Sequence, residues 1–337
     1  MDAVITYVDG LDPIWQAEYA SAVGGEILAK RYRDWGTLRY LLRGIEKHIP
    51  SVENVYLLVS GISQVPAWID KDQVRVVLHK EIIPEVFLPT FNSTTIEMFM
   101  HRIPGLSQEF LYFNDDMFPV MDCQKEDFFR DGKAVIGFAH HLFAGGKYKK
   151  RVRNSDHQAR AALGMRPGLT FVRPQHTCSP MLKSESEAVY AFSEDIIFKV
   201  VSRLRTTRNF NQYLFLDYLY YKGLTVPGKI SNKHLSPAVN SPETIASNIF
   251  SPSTKLLCIN DVHLKDEDFK KPDFVKKIEG FDVKNLTPGN VEFMTRTIQD
   301  YFLEKFPVRP ELVEQIPEKI KLLNTEEFEA ANDDFKS

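Results

Sequence analysis

Residues 110–113 (FLYF) run directly into Asn114, Asp115 and Asp116, and this junction limits the fold more than any other stretch of the chain. A short apolar run closed by turn-forming residues is a buried strand. In an open α/β sheet, ligands bind outside the carboxyl ends of the strands. Carboxylates placed there can hold a divalent metal against a substrate phosphate. Just upstream, Glu97, His101 and Arg102 crowd onto one predicted helix, delivering an acid, a base and a cation to the same neighbourhood.

The rest of the first half alternates strands and helices. Residues 3–8 are a β-branched run ending in Asp9 and Gly10. Asp12 as cap and Pro13 at the first helical position open a helix. Between 34 and 47, Leu38, Leu41, Leu42 and Ile45 recur at helical spacing, and Pro50 stops the pattern. Residues 55–59, 74–78 and 134–138 read as strands, and 93–101 as a helix ended by Pro104 and Gly105. The second half reads as more helical, with helices over 184–192, 193–203 and 210–221. Residues 236–254 carry three Ser-Pro steps and read as a long loop. Residues 256–259 read as a short strand ending in Asn260 and Asp261, and 290–306 as a helix. The predicted fold is α/β: a Rossmann-like or GT-A-like, mostly parallel sheet with a helical second half packed on it. The expected organisation is one catalytic domain over 1–322, with an α/β nucleotide-binding part (1–140) and a more helical part (141–322). An acidic, flexible tail over 323–337 follows.

At 337 residues the chain can bury about three quarters of its unfolded surface. Its net charge of −3 argues against a nucleic-acid partner. Positive charge gathers locally at Lys147, Lys149, Lys150, Arg151 and Arg153. That run is either a solvated loop or a landing site for phosphate or for an anionic membrane surface. Three widely spaced cysteines suggest neither a zinc site nor a disulfide framework, which fits a reducing compartment. The first strand begins almost at once, and no apolar stretch approaches the ~18 residues of a membrane span. A cytoplasmic protein is expected, at most peripheral to the inner membrane face. The chain has no GxxxxGK[ST], GxGxxG, GxSxG or SxxK pattern, which disfavours P-loop ATPases, dinucleotide oxidoreductases and serine hydrolases.

Three predicted strands end in acids, at Asp9, at Asn114–Asp116 and at Asp261. Such endings either cap turns or converge on a metal. Alternation along an extended strand turns Asn114 and Asp116 to one face and Asp115 to the other. Asp116 is therefore the expected metal-facing carboxylate, and Asp115 a supporting one. Arg31, Arg33 and Arg39 surround Asp34, either as phosphate ligands at a helix entry or as a surface ion-pair cluster.

Several blocks resemble the Stealth family: ITYVDGLDPIW (5–15), RYRDWGTLRYLLRGIEKHIP (31–50), LPTFNSTTIEMFMHRIPGLSQEFLYFNDDMF (88–118), LLCIND (256–261) and YFLEKFPVRP (301–310). The family includes bacterial capsular-polysaccharide hexose-1-phosphate transferases and the catalytic subunit of animal GlcNAc-1-phosphotransferase. The compact bacterial members are the closer comparison. The resemblance implies transfer of hexose-1-phosphate or N-acetylhexosamine-1-phosphate from a UDP-sugar to a sugar hydroxyl, with release of UMP. It also implies a Mg2+ or Mn2+ requirement. Carried over residue by residue, it implies that Glu97, Asp116, His176 and Arg205 are catalytic. Asp9, Arg31, Arg33, Asn92, His101 and Arg102 would bind substrate, and Asp116, Asp261 and Asp115 the metal. Either His176 or Glu97 would be the general base. The chain departs from the family pattern at Tyr7, Leu11 and Asn209, the last standing where Asp is usual. The alternative reading is a metal-dependent glycosyltransferase that releases UDP.

Overall fold

Strand β1 (Asp2–Thr6) is buried at every position and sits at the centre of the main sheet. The computed structural model describes residues 1–25, 27, 32, 34, 36–235, 240, 242–259, 300–302 and 305. After β1 come α1 (Pro13–Ala22), α2 (Leu38–His48), β2 (Asn54–Val59), β3 (Val74–Leu78), α3 (His79–Ile82) and α4 (Ser93–Glu97). Next are β4 (Glu109–Asn114), β5 (Met117–Pro119), β6 (Phe129–Arg130), β7 (Lys133–Ile136), β8 (Phe138–His141) and α5 (Gly146–Ala162). The described chain continues through β9 (Phe171–Pro174), β10 (Ser179–Leu182), α6 (Lys183–Val200) and α7 (Tyr213–Lys222). It then runs through β11 (Thr225–Pro227), β12 (Asn232–Leu235), α8 (Pro242–Ile249) and β13 (Leu256–Ile259).

These elements fall into two compact units that interleave along the chain. One comprises residues 1–27, 49–115 and 123–230, the other 28–48, 116–122 and 231–337. The first unit holds the five-stranded sheet in the order β10-β4-β1-β2-β3. β4, β1, β2 and β3 are parallel, and β10 pairs antiparallel with β4 at the edge. This is the mostly parallel sheet the sequence predicts. Its winding reverses between β1 and β4, where Thr6 stands opposite Asn114. Crevices that bind ligands form at such a reversal, outside the carboxyl ends of the strands. Asp12 caps α1 by accepting from the Ile14 N–H at 3.0 Å, with Pro13 in the first turn, as predicted.

The second unit carries a three-stranded sheet in the order β12-β13-β5. Helix α2 packs closely on β5 at Gly44, where a Cβ would lie 2.6 Å from the Pro119 carbonyl oxygen. Tyr40 and Phe118 pack on Phe302, with ring centroids 5.4 and 4.6 Å apart. The tail 323–337 and most of the predicted helix 290–306 lie outside the described residues.

Local differences from the sequence reading have physical causes. The helix expected over 93–101 stops at Glu97, and Met100–Arg102 form a 3-10 turn. Met98, Phe99, Met100 and His101 are all buried in succession, and one face of an α-helix cannot bury four consecutive residues. The two helices expected over 184–203 are one, because Ser193 is buried in mid-helix and accepts from Gln158 Nε2 at 2.9 Å instead of capping a second helix. The loop expected at 236–254 contains α8, opened by Pro242 where the missing N–H has no intrahelical partner to lose. Asp115 and Asp116 form a turn between β4 and β5, so strand alternation ends at Asn114.

Candidate active site

Helix α4 enters from Asn92, whose side chain accepts from the Thr94 N–H at 3.1 Å as an N-cap. Its amide donates to Ser202 O at 3.0 Å and to Asn209 Oδ1 at 3.2 Å. Thr95 Oγ1 donates to Ser202 O at 2.9 Å, and the Phe91 N–H to Arg203 O at 2.9 Å. The loop after α6 is thus pinned along the start of α4. This fixes Arg205, whose Nη2 donates to Ser93 Oγ at 2.5 Å.

Glu97 lies one turn beyond Ser93 and is 3% exposed. Its Oε2 accepts from the Gln212 N–H at 2.7 Å. Burial pushes the Glu97 carboxyl up. The charge of Arg205, the hydrogen bonds from Gln212 and Ser93 and the charge of Arg151 all pull it down. Beneath it, Tyr112 on β4 donates to Asn114 Oδ1 at 2.8 Å and shares a 3.1 Å bond with Thr6 Oγ1. Burial holds the Tyr112 hydroxyl far above its ordinary range, and the negative charges of Glu97 and Asp115 act in the same direction.

Tyr213, at the start of α7, meets the histidine and lies within the field of the Glu97 carboxylate. It is fully buried, accepts from Tyr148 OH at 3.1 Å and lies 3.3 Å from His176 Nδ1. Burial raises its pKa well above the ordinary value, and Tyr148 and Glu97 add to that rise while Arg173 opposes it. Glu97, Arg205 and His176 are therefore gathered in one polar cluster with Arg151, Arg173, Tyr148 and Tyr213. A carboxylate, a half-buried imidazole and several guanidiniums suit an anionic phosphoryl group and a proton to be moved.

The other predicted residues fall elsewhere. Asp9 is buried in the turn after β1, its Oδ1 accepting from the Leu11 N–H at 3.0 Å. His101 sits in an aromatic layer, 4.7 Å from Tyr190 and 6.0 Å from Phe215, and burial lowers its pKa to about 3. Arg102 donates to Tyr190 OH at 2.9 Å and lies over the Tyr190 ring. His101 thus meets α6 and α7, and Arg102 meets α6, instead of sharing a helix face with Glu97. Arg31, Arg33 and Asp261 lie outside the described residues. Asp116 opens the middle segment of the second unit, and its carbonyl accepts from the Ile259 N–H at 2.9 Å, so β13 ends beside it.

The sequence reading named Arg151 only within the basic run and missed Tyr148, Arg173 and Tyr213. The inward place of Arg151 and Tyr148 was legible in principle. The basic run lies on α5, and Tyr148, Arg151, Val152, Ser155 and Ala159 recur at helical spacing. Asn209, the departure from the family pattern, has a clear role. Its Oδ1 accepts from the Thr206 N–H at 2.6 Å, and its Nδ2 donates to Val200 O and to Ser202 Oγ. A carboxylate cannot make the two donor bonds. Asn209→Asp should therefore destabilise the fold by about 1–3 kcal/mol, read as a lowered denaturation midpoint.

Comparison with known proteins decides the family. Conserved region 2 of Stealth proteins matches residues 31–136. The receptor polysaccharide phosphotransferase WefC of Streptococcus oralis is 30% identical over 320 residues, covering 83% of this chain and 96% of that protein. The chain belongs to the Stealth family. Within it, the capsular polysaccharide phosphotransferase WcwK of Streptococcus pneumoniae is 28% identical over 334 residues, covering 87% of this chain and 98% of its own. This Stealth protein is accordingly a transferase of the phosphotransferase type. Among solved structures, the galactosyltransferase LgtC in complex with donor and acceptor sugar analogs matches with a TM-score of 0.39 and 12% identity, over 94% of this chain and 99% of that one.

A divalent metal suits one feature of the Stealth chain. Asp116 Oδ1 is a buried carboxylate oxygen with no hydrogen-bond partner, the kind of hard donor that Mg2+ or Mn2+ takes. Among the described residues, no group of three or more His, Cys, Asp or Glu side chains is arranged as a metal site.

Proposed function

We propose that the protein moves hexose-1-phosphate, or N-acetylhexosamine-1-phosphate, from a UDP-sugar such as UDP-GlcNAc to a hydroxyl of a saccharide acceptor. The product is a phosphodiester in a cell-surface polysaccharide, and the leaving group is UMP. The observation that carries this reading is that the buried Glu97 carboxylate acts electrostatically on Arg205, which Ser93 holds, and on Tyr213, which meets His176, in a member of a phosphotransferase family.

In-line phosphoryl transfer depends on positioning and on stabilising charge. Arg205 stabilises charge on the transferring group, held in place by Ser93. His176 is partly exposed, so it can reach the acceptor hydroxyl and take its proton. Glu97 is almost wholly buried, so it acts as the countercharge that orients Arg205 and as an acceptor for the α7 entry. A magnesium or manganese ion held at Asp116, with Asp115 and Asp261 as further candidates, would offset phosphate charge when bound. Cytoplasmic work is supported by three buried thiols, Cys123, Cys178 and Cys258. Among the described residues, no helix is long and apolar enough to cross a membrane.

The leaving group tests the reading. Incubated with UDP-GlcNAc, Mg2+ and a polysaccharide acceptor, the enzyme should release UMP in proportion to acceptor consumed. Release of UDP would instead mean glycosyl transfer.

A further inference from the structure

The exposed surface of residues 138–170 combines apolar and basic side chains and carries no acid. Leu142, Phe143 and Leu169 are 55%, 77% and 91% exposed. The β8–β9 register brings them together: His141 stands opposite Phe171, Leu142 and Phe143 directly follow His141, and Leu169 lies just before Phe171. Phe143 leads into α5, whose first turns expose Lys147, Lys150 and Arg153. The one acid in the segment, Asp156, is 0% exposed and paired with Arg160 at 3.0 Å. In a chain of net charge −3, this face is a strong local departure.

Large apolar side chains clustered in water mark an interaction surface. Bulky apolar tips beside lysines and arginines, without acids, match the interface of an anionic bilayer. A soluble polyanion would satisfy the basic residues and give nothing to Phe143 or Leu169. We propose that this face docks the enzyme on the surface of an anionic lipid bilayer. Leu142, Phe143 and Leu169 enter the headgroup layer, and Lys147, Lys150 and Arg153 meet the lipid phosphates. The same turns of α5 that present these lysines outward bury Arg151 near Glu97 and carry the half-exposed Tyr148, whose hydroxyl reaches Tyr213. Docking therefore holds the Glu97 cluster at the membrane surface. The inference stands on this surface alone and does not require the donor or leaving group proposed above.

Flotation of the full chain with vesicles tests it. Vesicles of equal parts phosphatidylglycerol and phosphatidylcholine should carry the protein, phosphatidylcholine alone should carry little, and added salt should release it. Lys147→Gln and Lys150→Gln should each weaken partitioning about fivefold. The double variant Phe143→Ser, Leu169→Ser should weaken it about tenfold or more, with an unchanged melting temperature. All four positions are exposed, so these variants should keep the wild-type fold and turnover in solution. The proposal is overturned if wild type ignores anionic vesicles, if the double variant floats as wild type does, or if the apolar substitutions instead dissociate a dimer of this chain. Binding of soluble polyphosphate without vesicle binding would also overturn it.

Discussion

A Glu97→Gln enzyme should fold normally and turn over on the order of 10²–10³-fold more slowly, the effect of removing one preorganised electrostatic contact from a transition state. The substitution preserves shape and keeps an acceptor for the Gln212 N–H, so the 2.7 Å bond at the entry to α7 survives. It removes the negative charge that sits with Arg205 and Arg151. Arg205 then loses its countercharge and its orientation towards the transferring phosphoryl group. A packing role for Glu97 and the charge role argued here diverge in a double-mutant cycle with Arg205→Ala. If the two residues act as a unit, the double variant should be little slower than the worse single variant. Multiplying rate losses would show independent roles and sink the assignment. The pH profile gives a second check. The wild-type carboxyl is pushed up by burial, so an activity limb that depends on its ionisation should be present in wild type and absent in Glu97→Gln.

Much of this arrangement could be read from the sequence, for definite reasons. The parallel strands were legible because β1, β2, β3 and β4 are short, apolar and bounded by turn residues, and the Asp12-Pro13 start of α1 is a local signal. Glu97, His176 and Arg205 were named through family resemblance, and their convergence is a tertiary fact. It depends on the hydrogen bonds that tie Asn92 and Thr95 to Ser202 across more than a hundred residues of chain. The strand argument that chose Asp116 used a periodicity that the chain abandons at Asn114. A tight turn between β4 and β5 leaves no alternation to count. Tyr213 carries no sequence motif at all. It matters because packing brings a buried hydroxyl near a helix start against the His176 imidazole and within the field of Glu97.

Asp217→Asn should make the protein more stable at neutral pH, by about 1.4 kcal/mol for each pH unit by which burial raises the carboxyl above its unfolded value. Asp217 lies on α7, is 0% exposed, and neither carboxyl oxygen has a hydrogen-bond partner. The adjacent Asp156 is equally buried but satisfied. It accepts from the Val172 N–H at 2.9 Å, from Arg160 Nε at 3.0 Å and from Tyr221 OH at 2.5 Å. Burial drives the Asp217 pKa well up, Asp156 adds to the rise, and Arg160 opposes it. The folded protein thus keeps a proton on Asp217 that the unfolded chain releases near pH 3.9. Below that pH both states hold the proton, and wild type bears no ionisation cost. Above it the unfolded state binds one proton fewer, so unfolding becomes easier by about 1.4 kcal/mol per pH unit until the folded group also titrates. The Asn variant has no proton to release at this position. The stability difference between the two proteins should therefore be smallest in acid and widen as pH rises, measured by urea denaturation across the pH range. A constant difference would mean that Asp217 titrates alike in the folded and the unfolded protein, against the shift argued here. A difference that narrowed as pH rose would reverse the sign of the argument. Because Asp217 shares α7 with Tyr213, activity measured on the same variant shows whether relieving this buried acid also shifts the hydroxyl that meets His176.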